Sequence, residues 1–199
     1  MRITLPLSFL MFLLAGGVLR AQNSDLALLV GITGPHGQVA AGPSPFVSGS
    51  VGASGQINYA WQVLQRSVDL YVELPLVIAA ESSGTVNGTA VSASTGSNIF
   101  FTPGARLKFS PQSRVSFYGA LGGGLASIGT NRSTVGSSIV AVNDRVTSGA
   151  LDFGGGLDFR LTRLLSLRVD GRDFVTRAGL GGSTGRHRWM VQFGIAFHF

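Results

Sequence analysis

Residues 47 to 61 read Val-Ser-Gly-Ser-Val-Gly-Ala-Ser-Gly-Gln-Ile-Asn-Tyr-Ala-Trp. Taken two at a time from Val47, the positions Val47, Gly49, Val51, Ala53, Gly55, Ile57, Tyr59 and Trp61 are apolar or small. Ser48, Ser50, Gly52, Ser54, Gln56 and Asn58 stand between them. Successive side chains of a strand point to opposite faces, so a period of two predicts one strand with a greasy face and a polar face.

The same parity recurs along the chain. Val68 to Ile78 alternates apolar residues with Ser67, Asp69, Tyr71, Glu73 and Pro75. Ile99 to Phe109 alternates with Phe100, Thr102, Gly104, Arg106 and Lys108, and Val115 to Leu125 with Ser116, Tyr118, Ala120, Gly122 and Gly124. Leu151 to Leu161, Leu165 to Val169 and Trp189 to Phe199 follow, and a shorter first member runs from Leu26 to Ile32. That makes eight strands. In the seventh the phase is lost at Gly171-Arg172-Asp173-Phe174, and a bulge there would return Phe174 to the apolar face.

Three connections are tight: Gln62 to Arg66, Ser110 to Arg114 and Thr162 to Leu164. The others (Thr33 to Phe46, Ala79 to Asn98, Ile128 to Val146, Arg177 to Arg188) are longer and rich in Gly, Ser, Thr and Asn, which is loop chemistry. Short and long connections at opposite ends are the habit of transmembrane barrels. No apolar stretch after the first 21 residues is long enough for a membrane helix.

That first segment is of another kind. Met1-Arg2 precedes an apolar run from Leu5 to Leu19, the layout of a secretory signal peptide with a cut expected after Ala21. An uncleaved anchor is the alternative. The expected organisation is therefore a signal peptide over 1–21 and one barrel domain over 22–199.

Parity alone leaves open which face looks outward, because a soluble ligand-binding barrel alternates in the same way with its apolar face inward. Composition decides. Only 12% of the 199 residues are charged while 45% are hydrophobic and 29 are glycine; a soluble domain carries about 25% charged residues. The polar face is Ser, Gly, Thr, Asn and Gln rather than the Lys and Glu of a wetted surface. Its charges are Asp69, Glu73, Asp152, Asp158 and Asp170 against Arg106, Lys108, Arg160, Arg168 and Arg172. Five acids and five bases suit a crowded lumen in which each buried charge needs a partner. Tyr59, Trp61, Phe109, Phe117 and Phe159 all lie next to short turns on the apolar parity, as an aromatic girdle at a membrane interface would.

The chain thus resembles the small eight-stranded outer-membrane barrels of Gram-negative-type bacteria, of the OmpA transmembrane-domain or OmpX kind. The resemblance covers residues 22 to 199, and its most specific element is the ending from Trp189 to Phe199. It implies an all-β, antiparallel up-and-down barrel, with the lipid bilayer and the outer-membrane assembly machinery as partners. It also implies that Phe193, Phe197 and Phe199 form the assembly signal.

Function is less legible. With Tyr71, Phe100, Tyr118 and ten charged groups inside an eight-stranded ring, a plugged lumen is expected. That points to a structural or surface-interaction (adhesion-like) protein acting through its loops, with an unknown extracellular ligand. The alternatives are a narrow outer-membrane channel and an outer-membrane enzyme. No catalytic constellation and no cofactor are expected. Without cysteine there is no thiolate zinc site or cysteine nucleophile, and His36 with His187 would share a metal only if two loops converged. The formal charge of +6 does not read as nucleic-acid binding, because Lys108 is the only lysine and the arginines are scattered. A monomer is expected.

Overall fold

A computed structural model describes residues 24–35, 47–49, 51–80, 82–86, 89–94, 97–132, 142–176 and 186–199. The expected signal peptide and His36 lie outside them. The strands are β1 (Ser24–Pro35), β2 (Val47–Gly49), β3 (Gly52–Leu64), β4 (Val68–Ala80), β5 (Ser82–Val86), β6 (Thr89–Ser94), β7 (Asn98–Phe101), β8 (Gly104–Phe109), β9 (Val115–Arg132), β10 (Val142–Arg160), β11 (Leu165–Thr176) and β12 (Arg186–His198).

β1, β3, β4, the β7–β8 pair, β9, β10, β11 and β12 are the eight staves of a closed antiparallel barrel. Closure is made at the chain's two ends. β1 pairs β12 from Asp25↔His198 to Pro35↔Arg188, and the backbones of Ser24 and Phe199 exchange both hydrogen bonds at 3.0 Å. Closure leaves no backbone edge, the condition for crossing hydrocarbon with strands.

The pairings define the tilt. From Asp25 the neighbours run Ala60, Glu73, Gly104, Gly122, Asp152, Phe174 and Arg188, and Arg188 pairs with Pro35. One circuit thus returns to β1 ten residues further along. With eight strands, strand rise and spacing convert this stagger into a tilt of roughly 40°. The outward apolar positions from Val68 to Ile78 on β4 then cover about 25 Å, the height of the apolar band on a membrane barrel.

The structure departs from the sequence reading in four places. The barrel strand of the second segment begins at Gly52, while Val47–Gly49 pairs instead with β5 in a separate three-stranded sheet, β2-β5-β6. β5 and β6 occupy what reads as loop between Ala79 and Asn98, because Ser, Thr and Gly run without apolar alternation there. β9 and β10 pair as far as Arg132 and Val142, into the stretch expected as a loop. The fourth stave is interrupted at Thr102-Pro103, since Pro103 has no N–H for the ladder, although its carbonyl still accepts from Gly123 N at 3.0 Å.

β11 corrects a fifth expectation. Its register against β10 and β12 is regular through Gly171, Arg172, Asp173 and Phe174. There is no bulge, and Phe174 is fully buried inside.

Candidate functional site

Faces are assigned by burial. Every stave turns large apolar residues outward, such as Leu121 and Phe193, each 65% exposed. The inward set contains Asp25, Glu73, Arg106, Lys108, Asp158 and Arg168, none more than 3% exposed. The barrel is therefore inverted relative to a soluble one, and its outer wall is compatible with hydrocarbon rather than water.

Inside, the charges form a connected layer in the half nearest the short turns. Arg168 on β11 lies 2.6 Å from Asp158 through Nε and 3.2 Å from Asp25 through Nη2. Lys108 Nζ lies 2.6 Å from the same Asp158, and Arg106 Nη2 lies 2.5 Å from the same Asp25. Tyr71 and Tyr118 flank the Arg106 guanidinium, with ring centroids 4.8 and 5.3 Å away. Tyr118 also lies 5.2 Å from the Arg168 guanidinium. Tyr118 thus contacts both of the guanidiniums that share Asp25, and each such cation–ring contact is itself favourable.

Above this lies Arg172, which serves three carboxylates. Its Nη1 is 2.7 Å from Glu73 and 2.6 Å from Asp152, and its Nε is 3.1 Å from Asp170. Asn58 Nδ2 donates to Glu73 at 3.1 Å, and the Tyr118 hydroxyl donates to Asp170 at 2.8 Å. Removing one member of such a network leaves an uncompensated buried charge.

Next along the axis the lumen turns apolar. Phe100 and Phe174 pack with centroids 4.7 Å apart and planes at 43°. Val77, Ala79, Ala126, Ile128, Ala150 and Met190 complete the cluster around them. Asn98, Thr176 and Arg188, all buried, occupy inward positions one step closer to the long connections.

The ten residues expected as an ion-pair set divide. Glu73, Arg106, Lys108, Asp152, Asp158, Arg168, Asp170 and Arg172 come together. Asp69 accepts from the backbone N–H of Arg66 at 3.2 Å and acts on its turn. Arg160 donates to the carbonyl of Pro111 at 2.5 Å, linking two short turns. Both sit at the mouth, a height that parity cannot report. Asp25, missed by the sequence reading, holds Arg106 and Arg168 together. It lies one position before the first residue counted in the alternation, on the inward parity.

Tyr59, Trp61, Phe109, Phe117 and Phe159 are all exposed on the outer wall at the short-turn end. Phe109 and Phe117 stack at 6.0 Å, and the Tyr59 hydroxyl is 3.2 Å from Ser24 Oγ. Phe193, Phe197 and Phe199 line the outward face of the last stave and its end. His187 is 2.7 Å from Asp173 on the outer wall. Among the described residues no His, Asp or Glu cluster has the make-up of a metal site.

Neither a protein family nor a curated protein matches the chain by sequence. Solved structures do match by shape. Neisserial surface protein A superposes with a TM-score of 0.65 over 90% of this chain and 99% of that one, at 13% identity. The outer membrane protein OprG from Pseudomonas aeruginosa gives 0.58 over 90% and 97%, at 12% identity. The N-terminal β-barrel domain of Pseudomonas aeruginosa OprF gives 0.53 over 90% and 100%, at 15% identity. Closed antiparallel staves, an apolar wall, a charged interior and these superpositions agree: the chain has the fold of the small eight-stranded outer-membrane β-barrels.

Proposed function

We propose that the protein resides in the outer membrane of a Gram-negative-type bacterium, exported with a signal peptide cleaved after Ala21. There it serves as a sealed, non-enzymatic scaffold that presents the connections opposite the short turns to the exterior, in a structural or surface-interaction role. The observation that carries this reading is the lumen, which is filled at two successive heights by different chemistry. An ion has to cross the Arg172 layer, where each carboxylate already has its cation, and then the Phe100–Phe174 disc, which offers it no ligand. Loops on a rigid scaffold are where binding is usually placed. In planar bilayers the inserted protein is expected to be electrically silent, and steady open steps would overturn the sealed-lumen reading in favour of a narrow channel.

A further inference from the structure

The lumen takes up most of the acid in the chain. Of nine acidic residues, Asp25, Asp69, Glu73, Asp152, Asp158 and Asp170 are buried inside the barrel. Among the described residues of known burial no Asp or Glu side chain is exposed. The seventh acid there, Asp173, is half-buried near the opposite rim and paired with His187.

The cations are divided differently. Each of the three short turns carries one exposed arginine, Arg66, Arg114 and Arg163, and no turn carries an exposed acid. Asp69, the carboxylate adjoining the Arg66 turn, is buried and accepts from that turn's backbone. Three of the four strand junctions at this end therefore present a guanidinium, and the fourth is the meeting of β1 and β12. Val63, Leu64, Leu161 and Leu164 are exposed beside these arginines. Trp61, Phe109, Phe117 and Phe159 follow immediately along the wall. The charged ring thus stands at the edge of the apolar wall, the height at which a membrane barrel meets headgroups.

We propose that the short-turn rim is a collar for anionic phospholipid, with Arg66, Arg114 and Arg163 each engaging a headgroup phosphate and the aromatic ring above them packing on the acyl chains. A guanidinium grips phosphate with two parallel N–H donors, and every Lys or Arg side chain outside the lumen is arginine, because the one lysine, Lys108, is inside. An anionic headgroup is favoured over a zwitterionic one because the latter brings its own cation to three turns that hold arginine and no Asp or Glu side chain to receive it. The inference rests on the membrane-barrel reading above.

The test uses the full barrel inserted into phosphatidylcholine vesicles with and without a minority of phosphatidylglycerol. The lipids retained on the protein after mild detergent release are read by native mass spectrometry. Phosphatidylglycerol is expected to be enriched over its bulk share, by roughly fivefold in affinity per arginine. The triple variant R66Q/R114Q/R163Q returns retention to the bulk ratio, while R145Q, on the opposite half of the barrel, keeps the enrichment. Bulk-ratio retention by the unaltered protein, or enrichment that survives the triple variant, would overturn the collar. Heat-dependent gel mobility in pure phosphatidylcholine keeps the two readings apart. Failure of the unaltered protein to insert there sinks the barrel placement, whereas an inserted barrel without lipid preference sinks the collar alone. If the triple variant does not fold, the single variants carry the test, each expected to lose a part of the enrichment.

Discussion

Tyr118 reaches Asp170 by passing over Gly156. The three residues lie side by side on β9, β10 and β11, with Gly156 paired to both neighbours, and the Tyr118 hydroxyl meets the Asp170 carboxylate at 2.8 Å. A Cβ on Gly156 would stand 2.5 Å from that hydroxyl and 2.6 Å from the ring carbon bearing it, and would also meet the carbonyl of Val169. Gly156→Ala therefore displaces the ring or bends the wall, at a cost of about 1–3 kcal/mol in urea unfolding. Gly55→Ala is the control. Its nearest neighbour would be the Leu29 carbonyl at 3.9 Å, so a change within about 0.5 kcal/mol is expected.

Arg172 is the most consequential cation in the lumen because three carboxylates depend on it. Arg172→Met leaves Glu73, Asp152 and Asp170 crowded without their shared counter-charge and should destabilise the barrel by about 3–5 kcal/mol. Adding Glu73→Gln to that variant removes one of the stranded charges. The double variant should recover part of the loss, and the interaction energy of the cycle measures the coupling. Strict additivity would mean that Arg172 and Glu73 are not a functional pair.

The fold was legible because lipid and lumen impose opposite demands on alternate residues, and eight segments carry that alternation. Height along the axis was not. Asp69 and Arg160 share the inward parity of Glu73 and Arg172, yet their position at the mouth follows only from register. Phe174 departs from its sequence expectation for a different reason. Its parity points inward, but an aromatic residue beside Arg172 and Asp173 reads as out of phase, and a bulge is the simplest way for a sequence to return it to lipid. The structure keeps the parity and gives Phe174 an apolar partner, Phe100, which also sits on an inward position.

Asp25 and Asp69 are both buried aspartates near the same end, and the structure assigns them different weights. Asp25→Asn weakens the shared acceptor of Arg106 and Arg168 and leaves two buried guanidiniums competing for the remaining carboxylates, at a cost of about 2–4 kcal/mol. Asp69→Asn keeps an oxygen for the Arg66 backbone N–H and should cost under about 1 kcal/mol. Chemical unfolding of the two variants side by side tests the ranking, and equal losses would contradict it.

Phe174 separates the two seals. Phe174→Ala removes one ring of the disc and should cost about 3–5 kcal/mol. Current through the inserted barrel should nevertheless stay absent, because the Arg172 and Arg168 layers are untouched. If steps appear in planar bilayers with this single change, the apolar disc alone closes the lumen and the ion-pair layers below it leak.

Phe199 can be tested for an assembly role apart from a structural one. Its backbone closes the barrel through reciprocal hydrogen bonds with Ser24, while its side chain is exposed on the outer wall. Phe199→Ala keeps the backbone pair and exchanges lipid contacts of the ring for lipid contacts of a methyl, so unfolding in vesicles should move by less than about 1 kcal/mol. Deletion of the residue removes the pair and should frays the seam, lowering stability more than the substitution does. If the side chain is a recognition element, Phe199→Ala should reduce the amount of heat-modifiable protein in the outer-membrane fraction of cells severalfold while refolding in vitro at its normal yield. Equal yields in cells and in vitro would leave Phe199 a packing residue only.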